Sequence, residues 1–292
     1  MAPRKLGTRN KPAPAAANWL LIPVLSVTLL LGACAGHQEE VQAVERHAKA
    51  IAMWQERCKT AGEKIHKMVD GVDGIFLMKI RTSTNFGDQF KLDDPYGSDS
   101  SGDMYLKNFI KGFYHQRADK VFPGSPLRAG YSYVEALDPK DGQRYRYTGG
   151  VRAVRKQDIT APGVQWELKR NPNYDLNVYE FVLDKAPATG LAPRYGVTYD
   201  DISTQAERNY WIAGSSLKVV DLQTNEVIAE RIGYMVDRGQ GSQAGGRSPW
   251  LFAADNACPG FQWNPHVRVR NGSGEQAGQT LVFVEKVLKP TK

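Results

Sequence analysis

Between Lys11 and Glu39 the chain carries no formally charged residue, and Trp19 to Leu31 is an almost unbroken apolar run. No other stretch constrains the fold as strongly. At 13 residues the run is too short to cross a bilayer as a helix, which takes about 20. It is preceded by Arg4, Lys5, Arg9 and Lys11 with no acidic residue, and it closes on Gly32-Ala33-Cys34. A basic start, a short apolar core and small residues at its end have the layout of a segment removed on export, not of a core helix. What folds is then the chain beyond it.

Leu31-Gly32-Ala33-Cys34 resembles the lipobox of bacterial lipoprotein precursors. The resemblance covers residues 1–34 only. It implies cleavage between Ala33 and Cys34, with acyl chains placed on the Cys34 thiol and on the new amino terminus. Each buried methylene contributes about 0.8 kcal/mol, and stable attachment takes more than one chain. In that family an Asp after the cysteine favours the inner membrane. Ala35 stands there, so the resemblance implies the outer membrane, facing the periplasm. The expected organisation is a signal peptide over 1–33, lipidated Cys34 with a short tether over 34–37, and one globular domain over 38–292.

Cleavage changes the charge argument. The whole chain is +7, and the leader holds four positive charges and no negative one, which leaves +3 for the mature part. That is no basis for nucleic-acid binding. Six Trp, thirteen Tyr and ten Phe indicate a folded body with a substantial core. With Cys34 acylated, Cys58 and Cys258 remain, an even pair in an oxidising compartment. They are expected to form a disulfide, worth around 5 kcal/mol at most in the chain-entropy model.

Val41, Val44, Ala48, Ile51, Ala61, Ile65 and Met68 recur at helical spacing, with Cys58 on the same side, so a helix is expected over 38–68. Phe76, Met78 and Ile80 alternate with polar neighbours as a strand, and 82–103 reads as a polar loop before a helix over 104–117. From Tyr131 onward the pattern is mostly β. Hairpins are expected at 131–137/144–154 and at 216–236, with strands at 164–168 and 177–183. Asp201 or Ser203 is expected to cap a short helix ending at Asn209. The Asn271-Gly272-Ser273-Gly274 turn leads to a final strand over 279–288. The expected class is α+β: a mostly antiparallel sheet with the N-terminal amphipathic helix packed on it.

Candidate chemistry is sparse. Asp93, Asp94, Asp99 and Asp103 crowd one loop, but position 12 of a calcium loop starting at Asp99 would be Ile110, so no metal site is expected. His37, His47, His66, His115 and His266 show no metal-ligand spacing. His115, near Tyr114 and Asp119, is a general base only if a partner adjoins it. No Gly-x-Ser-x-Gly elbow occurs, and Gly239-Gln240-Gly241-Ser242 lacks the Walker spacing of a phosphate loop. Asp200-Asp201, Glu207 and Asp237 are available carboxylates, but adjacent side chains diverge and make a poor acid–base pair. Arg144-Tyr145-Arg146-Tyr147, followed by Arg152 and Arg155, places arginines on one strand face, a pattern suited to phosphate or carboxylate. These features imply a membrane-anchored, non-enzymatic envelope component. Its partner would be another envelope protein or an anionic envelope polymer, and no cofactor is called for. The alternative is a surface-tethered hydrolase of envelope glycans or lipids.

Overall fold

A nine-stranded, mostly antiparallel sheet organises the chain. The structure is a computed structural model that describes residues 22–90, 99–111, 130–261, 276 and 278–291, of which 22–37 are described by backbone alone. The chain divides into two units, Met1–Arg46 and His47–Lys292. Helix α1 (Ile22–Cys58) contributes to both. No helix among the described residues is long and apolar enough to cross a membrane.

Within the second unit the elements after α1 are β1 (Gly62–Ile65), β2 (Val69–Val72), β3 (Gly74–Leu77), α2 (Gly102–Lys111), β4 (Tyr133–Leu137), β5 (Arg144–Lys156) and α3 (Pro162–Arg170). They are followed by β6 (Asn177–Pro187), β7 (Tyr195–Asp201), α4 (Gln205–Asn209), β8 (Ile212–Asp221) and β9 (Glu226–Val236). The last are α5 (Pro249–Ala253), β10 (Ala257–Cys258), α6 (Gln279–Val287) and β11 (Leu288–Pro290). The sheet order is β1-β9-β8-β7-β3-β4-β5-β6, with β10 also on β9. Within this sheet, among the described residues, the parallel pairings are those of β3, with β4 on one side and β7 on the other. Strand β11 pairs in parallel with β2 in a separate ribbon.

The α+β architecture matches the sequence expectation, and several elements correct it. The helix expected over 38–68 stops at Cys58. Residues 62–65 instead pair with β9, Ile65 opposite Ala229. Ala61 and Ile65 fit a helical stripe by spacing, but each also meets an apolar surface once β9 lies alongside, and tertiary pairing overrides local propensity. In β3 the phase is reversed: Ile75 and Leu77 are fully buried, while Met78 is exposed. Residues 164–168 lie in helix α3, started by Pro162 in the first turn, where a missing N–H costs nothing. Residues 279–287 form helix α6, not a strand. Seven of its nine side chains are buried, and a helix covered on nearly all sides shows no one-sided periodicity to read. The expected hairpins 131–137/144–154 and 216–236 are present as β4–β5 and β8–β9. The Asn271–Gly274 turn and residues 112–117 of the second helix lie outside the described residues.

The main core fills the space between sheet and helices. Tyr105, Leu106, Phe109 and Ile110 of α2 pack with Ile75 and Leu77 of β3 and with Phe283, Val284 and Val287 of α6. Each such side chain contributes about 1.5–3 kcal/mol by burial. A second cluster holds the C-terminal part of α1: Ala50 packs with Ile212, Tyr234 and Val236, joined by Trp54 and Cys258. The Cys58–Cys258 disulfide closes this corner, with Cα atoms 5.5 Å apart. The sequence expectation for this pair is met.

Candidate functional site

Parallel pairing of β4, β3 and β7 brings three carboxyl ends to one edge of the sheet. An open cleft of about 590 Å³ lies there, within the range of ligand pockets. Met78, Lys79, Ile80 and Thr82 line it as the chain leaves β3. Leu137 and Pro139 contribute from the end of β4, and Tyr199, Asp200 and Asp201 from the end of β7. In open sheets with parallel strands, the crevice beyond the carboxyl ends is a preferred place for ligands.

The polar wall is a network of paired charges. Lys79 Nζ donates to the Tyr199 carbonyl at 2.7 Å and to Asp200 Oδ1 at 2.6 Å. Lys218 Nζ lies 3.6 Å from the other Asp200 oxygen and 3.9 Å from Glu230. The hydrogen bond from Lys79 holds the Asp200 carboxyl below its ordinary range. Asp201 takes different partners. It accepts the Ser203 N–H at 2.9 Å and pairs with the Arg208 guanidinium. Arg208 is almost wholly buried, with its Cζ 5.1 Å from the Trp250 ring centroid. The two adjacent aspartates therefore diverge, as strand geometry requires. The expected cap at Asp201 or Ser203 is corrected to Thr204, which forms a capping box with Glu207.

Glu207 is also bound to Arg57 of α1. Burial pushes its carboxyl up, but the hydrogen bonds from Thr204 and Arg57 outweigh this and leave it below the usual range. Asp237 is fully buried and accepts the N–H groups of Gly239 (3.0 Å) and Gly241 (2.8 Å) together with both Arg247 Nη groups. The glycine loop that resembles a phosphate cradle thus wraps a carboxylate of its own chain.

The arginines read as an anion surface are mostly paired. Arg146 binds Glu135 through Nε (2.9 Å) and Nη2 (2.7 Å) and stacks on Tyr133 at 3.9 Å. Arg144 lies 3.4 Å from the second Glu135 oxygen. Arg152 is held by Asp184, and Arg155, past a bulge in β5, is exposed. Asp99 binds the start of α6 rather than facing solvent as a metal ligand. No group of three His, Cys, Asp or Glu placed to hold a metal occurs among the described residues. The Cys34 side chain, Asp93, Asp94, Tyr114, His115, Asp119 and His266 lie outside the described residues.

Lys79 and Lys218 escape a reading of the sequence. Neither sits in a motif, and their meeting at Asp200 depends on strand order. Comparison of the chain with protein-family models, curated proteins and solved structures finds no match. The fold and the cleft define an α+β protein with a polar, charge-balanced site at the carboxyl ends of its parallel strands.

Proposed function

We propose that this chain is a cell-envelope lipoprotein, held through acyl chains on Cys34 at the outer membrane and facing the periplasm, whose folded part acts by binding and not by catalysis. One observation carries the binding reading: both acidic side chains lining the cleft are held in ion pairs, Asp200 by Lys79 and Lys218 and Asp201 by Arg208. A general acid or base needs a proton to give or take near the working pH; Asp200, held below its ordinary range by Lys79, does not meet that need, and the Asp201 oxygens are occupied by Arg208 and Ser203. Export is supported by the Cys58–Cys258 disulfide, a bond that persists in oxidising compartments. The partner is another envelope protein or an envelope polymer. Because Arg144, Arg146 and Arg152 already face Glu135 and Asp184, the cleft is favoured over the arginine strand as the contact.

Metabolic labelling with palmitate tests the anchor. The wild-type chain takes up label and fractionates with membranes, whereas Cys34→Ser does neither. An unlabelled wild type, or a Cys34→Ser form that runs as the same membrane-bound species, overturns it. Cross-linking and co-purification from membranes then identify what is bound.

A further inference from the structure

We propose that the cleft beyond the carboxyl ends of β3, β4 and β7 binds a neutral, hydroxyl-rich ligand, the sugar units of a glycan. This rests on the reading of the folded part as a binding component and names the ligand class it takes. Three observations support it.

The first is charge balance. Lys79 and Lys218 face Asp200 and Glu230, and Asp201 is matched by Arg208. Each of these charges has an opposite one beside it, so the pairs offer little attraction to a phosphate or a polycarboxylate. The second is unused hydrogen-bonding capacity. An ammonium has three donors, and Tyr199 and Asp200 take two of those on Lys79. The Asp200 carboxylate keeps free lone pairs, and the two side chains are 47% and 45% exposed. A donor and an acceptor are therefore presented side by side. Two neighbouring sugar hydroxyls, each able to give and accept, satisfy both without breaking the ion pair. A zwitterion would have to separate it. The third is the apolar part of the lining, where Met78 and Leu137 are 40% and 47% exposed. They offer an apolar surface for the C–H face of a sugar ring, and the cleft has the volume of a small-ligand site.

The test uses the full chain in a detergent without a sugar headgroup, with N,N′-diacetylchitobiose as the probe and saturation-transfer NMR as the readout. The expected result is saturable binding with a Kd of about 1 mM. Lys79→Met and Asp200→Asn should each weaken it about tenfold, the loss expected when a polar contact to the ligand is removed. Leu137→Asp leaves the ion pair intact and alters only the apolar wall, so it keeps the test open if a charge variant does not fold; it too should weaken binding. The idea is overturned by absence of saturable binding, by binding unchanged in all folded cleft variants, or by stronger binding of the dipeptide Leu-Ala or of inorganic phosphate at this cleft. Palmitate labelling and the sugar titration, both carried out on the wild-type chain, separate the two proposals: sugar binding by a wild type that takes up no label removes only the anchor, and labelling without sugar binding removes only the ligand.

Discussion

Asp99 caps a helix that begins 180 residues further along the chain. Its carboxylate accepts the hydroxyl of Thr280 at 2.6 Å and the Thr280 N–H at 3.2 Å, and it also accepts the Gly278 N–H at 2.8 Å. Gly278, at the N-cap of α6, has no side chain to do this. The orphan donors of a buried helix end must be met by something, and a carboxylate also complements the positive end of the helix dipole. Asp99→Ala removes the cap and leaves buried donors unpaired, so it should destabilise the fold by about 2–3 kcal/mol. Urea unfolding of the two proteins checks this. A midpoint unchanged from wild type would show that α6 is held by packing alone.

The capping box at Thr204 and Glu207 makes stability pH-dependent. The Glu207 carboxyl is lowered in the folded chain, so the folded state favours the ionised form. That contribution is present above the unfolded value of about 4.3 and is lost as pH falls through the lower folded value. Thermal melts between about pH 3 and pH 6 should therefore show a falling Tm on the acid side. In Glu207→Gln that slope should be shallower, and the Tm at neutral pH should be lower than wild type.

The disulfide should stabilise mainly by restricting the unfolded chain. Its partners are 200 residues apart in sequence and tie α1 to β10. Removing such a bond typically costs about 2–5 kcal/mol. Cys58→Ser, Cys258→Ser and the reduced wild type, each compared with the disulfide-bonded wild type, should show the same loss in denaturant unfolding. Two mutants that differ widely would mean that side-chain packing around one thiol, and not the cross-link, governs the effect.

How much of this was readable before the structure differs by element. Cys58 and Cys258 paired by compartment and count, without any knowledge of the fold. The β4–β5 and β8–β9 hairpins were legible because a turn and two alternating strands are close in sequence. Helix α6 was not, since Leu281, Phe283, Val284 and Val287 are buried all round it and carry strand-like residue types. The cleft was not legible either. Lys79, Asp200 and Lys218 come from three separate segments, and only the central position of β3 between β4 and β7 brings their surroundings together. Asp200 and Asp201 stand out in the sequence as carboxylates, but the lysine partners of Asp200 leave no local signature.

The Arg144–Arg146 strand face illustrates a role that residue type alone conceals. Glu135 is fully buried, and Arg146 donates to one of its carboxylate oxygens through both Nε and Nη2. Arg146→Ala would leave a buried carboxylate with a weaker partner in Arg144. Breaking a fully buried pair costs about 3–5 kcal/mol, and because Arg146 is itself partly exposed the expected loss is nearer 2 kcal/mol. Arg155→Ala, on an exposed part of the same strand, should leave stability unchanged. Equal effects in the two variants by thermal denaturation would refute a structural role for the Glu135 pair.

Gly241 is fixed by both its backbone and its neighbour. It has φ +85°, and a Cβ placed there would come within 2.3 Å of the Trp211 indole. Trp211 in turn packs against fully buried Trp250, with ring centroids 5.1 Å apart and planes tilted by 42°, so it has little room to retreat. The same glycine donates its N–H to Asp237. Gly241→Ala therefore strains the left-handed backbone, crowds the indole and loosens the cradle around a buried carboxylate. Together these should cost about 2–4 kcal/mol. Tryptophan emission should shift to longer wavelength as the Trp211–Trp250 contact opens. Gly245, also at positive φ but with open space around its Cβ position, separates the two causes. Gly245→Ala should show only the smaller backbone penalty of about 1 kcal/mol and no spectral shift; a loss as large as that of Gly241→Ala would put the strain in the loop backbone and not in the indole contact.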